Sequence, residues 1–88
     1  MTLKDFRNEL DIIDDEIIRL IVKRLEISRD IGFYKGENSL PTNDEERINE
    51  VLKRGRALAG KEYERDSDEV LKLLISQSCR LQENLKEK

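Results

Sequence analysis

Leu3, Phe6, Leu10, Ile13, Ile17, Leu20, Arg24, Ile27, Ile31 and Tyr34 recur at heptad spacing, and nine of these ten positions are apolar or aromatic. With no proline in the stretch and no glycine before Gly32, the pattern predicts one helix over 3 to 36, stopped at Gly36 with Pro41 shortly beyond. Such a helix runs about 50 Å at 1.5 Å per residue. A compact 88-residue chain is only about 30 Å across. The helix is too long for its own chain to cover its stripe, so a second copy is the expected cover and a homodimer the expected assembly. One stripe position breaks the pattern, and it is Arg24.

Composition narrows the fold and the chemistry. The chain is 42% charged and 36% hydrophobic, with four glycines and one proline, which points to an all-α domain occupying 1–88. A single core is marginal at this length, and oligomerisation is the usual remedy. A net charge of -3 and a pI near 5.1 give no footprint for nucleic acid. No apolar run approaches membrane-spanning length, and the opening MTLKDFRNELD lacks the apolar core of a signal peptide, so a cytoplasmic protein without a membrane partner is expected. Cys79 is the single cysteine and histidine is absent. No internal disulfide, zinc cluster or Ser/His or Cys/His nucleophile pair can be assembled. An enzyme built from this chain needs chemistry that uses none of these, and neither a cofactor nor a metal is expected.

Two further helices follow the first. Thr42 and Glu45 match a capping box, and Ile48, Val51, Leu52, Gly55, Leu58 and Ala59 then share one helical face until Gly60. After the polar link GKEYERD, the Asp66/Ser67 region can cap a third helix, with Leu71, Leu74, Ser78, Leu81 and Leu85 as its stripe. The predicted unit is one long, one short and one medium helix per chain, with no repeat and no second domain.

Polar residues on apolar stripes are the candidates for function. A guanidinium at position 24 must meet an anion, because burying it unpaired costs several kcal/mol. That anion is either an Asp or Glu fixing helix register, or a small carboxylate ligand gripped by the guanidinium fork. Lys35 follows eleven residues later, three turns on, so it projects from the same side of the helix. Alone it reads as a solvated lysine near a helix end; with Arg24 it makes a pair of cations facing one space. Arg7 lies about 25 Å from Arg24 along the helix, too far to share a small ligand within one chain and close enough only across an antiparallel dimer. Ser78 and Gln82 form an i, i+4 pair in the third helix, and Asp44 and Arg47 an i, i+3 pair at the start of the second. Each has an ordinary reading as well: a small packing residue, an exposed amide, a first-turn salt bridge.

Together these residues resemble the all-helical class of chorismate mutases across the whole chain, through FRNELDIIDDEIIRLIVKRLEIS, DIGFYKGE, LPTNDEERINEVL and LLISQSCRLQENL. The resemblance implies an intertwined homodimer with two active sites, each borrowing one arginine from the other subunit, which by position is Arg7. It implies that Arg24 and Lys35 are the in-chain cations, that Asp44 and Arg47 are the acidic and basic positions opening the second helix, and that Ser78 and Gln82 are the polar pair of the third. The implied reaction converts the dicarboxylate chorismate to prephenate in aromatic amino-acid biosynthesis. It is a pericyclic rearrangement needing no proton transfer, no covalent intermediate and no metal. Its demands are a folded substrate and stabilisation of charge growing on the ether oxygen.

One position departs from the resemblance. The family commonly places glutamate after the second-helix arginine, accepting a hydrogen bond from the ring hydroxyl, whereas this chain reads Arg47-Ile48. Isoleucine accepts nothing, and it also fits the stripe with Val51 and Leu52. An unpaired substrate hydroxyl in a dry site costs about 1 to 3 kcal/mol, which predicts a weaker mutase unless water or Asp44 substitutes. Ile48 therefore keeps two alternatives open: an isochorismate pyruvate lyase on the same framework, whose substrate carries its hydroxyl elsewhere on the ring, and a helical dimer or regulatory module with no catalysis.

Overall fold

The computed structural model describes residues 1–86, which form three helices and no strand. Helix α1 spans Leu3–Glu37, α2 spans Glu45–Ala59 and α3 spans Glu64–Lys86. Thr2 starts α1 through a capping box: its hydroxyl accepts from the Asp5 amide at 3.3 Å, and the Asp5 carboxylate accepts from the Thr2 amide at 2.8 Å. The bond from the Thr2 backbone, and then that from its side chain, hold the Asp5 carboxyl below its ordinary value.

The helix boundaries correct three expectations. Gly36 does not stop α1, which continues through Glu37 and ends where Ser39 turns left-handed at φ 53. Leu40 N donates to Lys35 O at 2.8 Å and Ser39 N to Gly36 O at 3.4 Å, the paired bonds of a Schellman motif, with Asn38 Nδ2 also capping Tyr34 O. Thr42 does not cap α2 either. Asp44 does, its carboxylate accepting from Arg47 N at 3.1 Å. Asp66 and Ser67 are not caps of α3 but lie inside it, because the link from Gly60 closes on itself at Tyr63 N to Gly60 O and the helical ladder has already begun with Ser67 N to Tyr63 O at 2.9 Å. Gly60 ends α2 at φ 81, a conformation that a side chain disfavours.

Helix α3 is the central element, packing against both α1 and α2, which do not pack on one another. At about 52 Å, α1 is as long as the whole molecule, whose extents are 54 × 26 × 13 Å. The smallest extent is about one helix diameter. A layer one helix thick has no interior, and burial follows accordingly. Among the described residues Leu52 is the one buried apolar side chain; the other buried groups are Ser28, Gly32, Ser78 and Gln82. Every residue from 1 to 20 is exposed, so the first half of α1 is an arm projecting beyond the other two helices. All nine apolar positions of its heptad stripe are exposed, from Ile31 at 39% to Leu20 at 64%, and Leu58, placed by spacing on the α2 face, is 81% exposed. The chain exposes 7408 Å², against about 5,400 Å² for a compact monomer of its mass. No described helix is long and apolar enough to cross a membrane.

The α1–α3 crossing depends on Gly32. A Cβ there would stand 3.0 Å from the Gln82 Cα and 3.2 Å from Leu85 Cδ1, so the missing side chain lets α3 approach closely where Gln82 faces Lys35. Alanine outranks glycine by about 1 kcal/mol in a helix interior, which makes the sign of a substitution informative. Gly32→Ala is expected to lower the thermal midpoint despite its better propensity. A raised midpoint in differential scanning calorimetry contradicts the close crossing.

Candidate active site

The polar residues of the stripes meet at one cavity of about 280 Å³. Helix α1 contributes Arg24, Ser28 and Lys35, with Ile27 and Ile31 as apolar wall; α2 contributes Asp44, Arg47, Ile48 and Val51. Helix α3 closes the cavity with Ile75, Ser78, Cys79 and Gln82, and Thr42 enters from the link before α2. Three cations and one carboxylate therefore line a pocket in a chain of net charge -3. An anion is attracted locally and not by the protein as a whole.

Arg24 and Lys35 are held by neutral groups. Arg24 Nη1 donates to Leu74 O at 3.2 Å and to Ser78 Oγ. Among the described residues no carboxylate pairs with it, and no register-fixing salt bridge forms there. Only Nη1 is used, which leaves the Nη2 and Nε donors for a planar ligand group. Ser28 Oγ also donates to Ser78 Oγ, at 2.9 Å, so the Ser78 oxygen accepts twice and its own proton remains to donate. Lys35 Nζ donates to Thr42 O at 2.9 Å and to Gln82 Oε1 at 3.1 Å. That second bond occupies the Gln82 carbonyl and leaves its Nε2 amide without a partner among the described residues. Lys35 keeps one ammonium proton, so two donors from different helices stand side by side.

The remaining candidates are placed as follows. Asp44 and Arg47 do not form the first-turn salt bridge; Asp44 binds the Arg47 backbone, while the Arg47 guanidinium lies 3.9 Å from Glu50 in an exposed pair worth little. Ile48 is half-buried and faces the cavity, so it is wall as well as stripe. Arg7 is not brought to the cavity. It sits exposed on the projecting arm, about 25 Å along α1 from Arg24. Sequence reasoning missed Ser28, Thr42 and Cys79. Ser28 was visible as a polar residue at i+4 from Arg24, between the two cations; Thr42 and Cys79 carried no signal of their own. Ile27 and Ile31, counted in the dimer seam, also line the cavity.

A helical chain with one pocket of convergent cations and amide donors defines a binding site for a small organic anion. Comparison with known proteins makes the class specific. The model of the family "chorismate mutase type II" matches residues 6–83. The chorismate mutase of Methanocaldococcus jannaschii is 31% identical over 83 residues, which cover 91% of this chain and 83% of that protein. The T-protein of Haemophilus influenzae is 41% identical over 59 residues, 67% of this chain and 16% of that one. The bifunctional chorismate mutase/prephenate dehydratase of Aquifex aeolicus is 38% identical over 52 residues, 59% of this chain and 14% of that one. The chain thus spans about a sixth or less of these last two relatives and most of the first. No solved structure matches it. This chain belongs to the chorismate mutase type II family.

The absence of a protein carboxylate beside Arg24 has a consequence for stability. Arg24→Leu leaves no buried anion behind, so the thermal midpoint is expected to stay within about 4 °C, under about 1 kcal/mol for a domain of this size. A fall of more than about 12 °C in a thermal melt reveals an orphaned carboxylate partner and contradicts the site.

Proposed function

We propose that this chain acts as a homodimeric chorismate mutase, rearranging chorismate to prephenate in aromatic amino-acid biosynthesis in the cytoplasm. The observation that carries this reading is the convergence of Arg24, Lys35, Ser78 and Gln82 on one cavity where, among the described residues, no carboxylate takes the charge of either cation. Family membership supports it. The whole of 1–88 is read as a single catalytic domain with no cofactor, no metal and no nucleic-acid or membrane partner.

The exposed stripe supports the dimer. The chain exposes about 2,000 Å² more than a compact monomer of its mass, which for two chains lies in the range of obligate interfaces. A second copy laid antiparallel against the arm covers the stripe and carries the partner subunit's Arg7 toward the cavity. Two guanidinium groups then answer the two substrate carboxylates. Arg24 offers its free fork, with the Ser78 proton beside it; Arg7 crosses from the other subunit.

The reaction breaks a carbon–oxygen bond as a carbon–carbon bond forms, and no proton moves. Holding both carboxylates restricts the flexible side chain to its folded reactive shape. Negative charge grows on the ether oxygen in the transition state. The Lys35 ammonium and the Gln82 amide, pre-set by their own hydrogen bond, are the donors for it, and their bonds strengthen as the charge develops. Arg47 and Asp44 lie at the exposed side of the cavity, where Arg47 assists carboxylate binding and Asp44 caps the helix start.

Ile48 on the cavity wall favours one second reading, the isochorismate pyruvate lyase, because it presents an apolar surface where a hydroxyl acceptor is otherwise expected. Incubation of purified protein with chorismate and separately with isochorismate, read by NMR, distinguishes the two. Prephenate from chorismate is expected; salicylate and pyruvate from isochorismate, with chorismate untouched, establish the lyase instead. Lys35→Ala is expected to lower kcat/KM for chorismate by about 100-fold or more with unchanged circular dichroism and mass in solution. Parent-level turnover by this variant rules out the assigned role.

A further inference from the structure

Among the described residues, Thr42 Oγ1 is the buried side-chain oxygen that finds no hydrogen-bond partner. Buried hydroxyls are almost always paired, and one left unpaired beside a ligand pocket is a group waiting for the ligand. Thr42 lines the cavity together with Ile48. Its position is fixed from within, because the Lys35 ammonium holds its carbonyl at 2.9 Å while also binding Gln82 Oε1.

The cavity is rich in donors, and its buried acceptors are mostly taken. Gln82 Oε1 and Thr42 O are occupied by Lys35, Ser78 Oγ by Arg24 and Ser28, and Asp44 Oδ1 by the Arg47 amide, which leaves the Oδ2 of Asp44, exposed to water at the helix start, as the other open acceptor beside the Thr42 hydroxyl. Chorismate brings two carboxylates, an ether oxygen and one ring hydroxyl. Donors suffice for the first three groups, but the hydroxyl needs a partner that can accept, and Ile48 cannot. We propose that the Thr42 hydroxyl is the group that binds the substrate's ring hydroxyl, supplying the hydrogen bond that position 48 lacks. The assignment rests on the chorismate reading above. A hydroxyl both donates and accepts, so the substrate also satisfies Thr42, and the orphan that burial leaves in the free protein disappears on binding. Thr42 then acts as a specificity-determining residue: it favours substrates with a hydroxyl at this ring position over those without.

The test compares the parent chain with Thr42→Val, which keeps shape and removes the hydroxyl, and with Thr42→Ser, which keeps the hydroxyl. Each is assayed on chorismate and on the chorismate analogue lacking the ring hydroxyl. Thr42→Val is expected to lower kcat/KM for chorismate about tenfold or more, and Thr42→Ser to stay close to the parent. On the deoxy analogue the Thr42→Val loss is expected to vanish, since each partner of the same bond can be removed only once. Unchanged kcat/KM for Thr42→Val on chorismate overturns the proposal. So does an equal loss on both substrates, which marks a structural effect through Lys35. A parent that consumes neither substrate overturns the chorismate reading itself, and this assignment with it, whereas an active parent with an indifferent Thr42 overturns this assignment alone.

Discussion

A layer 13 Å thick cannot have an inside. With α1 running the full length of the molecule and only α3 packed along part of it, the heptad stripe has no cover within the chain, and twenty residues of the arm stand in water. The hydrophobic effect acting on that stripe is the largest unsatisfied force in the structure. Everything else about the proposed assembly follows from how a second copy satisfies it. The arm that needs covering is also the arm that bears Arg7, so in the proposed dimer the packing that buries the stripe would deliver a cation to the other subunit's cavity. In that proposed assembly, folding, association and completion of the site would be one event.

Within a single chain the site is built at the α1–α3 crossing, and its materials are those that a helical core normally avoids. The groups buried there are Ser28, Gly32, Ser78 and Gln82, while the apolar residues lie outside. Gly32 permits the close approach, and the polar side chains satisfy one another across it: Arg24 with Ser78, Ser28 with Ser78, Lys35 with Gln82. None of these bonds joins opposite charges. Neutral partners orient the two cations without cancelling them, which keeps their electrostatic potential available to a dianion in a partly desolvated pocket. A salt bridge in the same place would have filled the role of the ligand.

The number and order of the helices were legible because periodicity and punctuation agreed. Heptad spacing in α1, the stripes of α2 and α3 and the break at Gly60 are all strong local signals. Helix ends were less legible where two residues compete for one task. Gly36 looked like the stop, yet Ser39 adopts the left-handed turn, and Thr42 looked like a cap, yet the carboxylate of Asp44 sits closer to the helix it starts. Arg24 and Ser78 were legible as candidates because each is polar where a stripe calls for apolar, and Lys35 and Gln82 because they project from the same sides of those helices. Thr42 was not, since a threonine before a helix is ordinary, and only its burial without a partner sets it apart. Ile27 and Ile31 show the limit of a heptad argument: spacing assigns a face but not what covers it.

The central claim is that each active site takes Arg24 and Lys35 from one chain and Arg7 from the other. Complementation between two inactive variants tests it most directly. Arg7→Ala and Arg24→Ala homodimers are assayed alone, then unfolded together, refolded as a mixture and assayed again. In a shared-site dimer, half of the refolded molecules are hybrids, and each hybrid concentrates both lesions in one site and leaves the other intact. The account predicts two nearly inactive homodimers and recovery of about one quarter of the parent's turnover in the mixture. A mixture no more active than its components, or full activity in Arg7→Ala alone, contradicts the shared site.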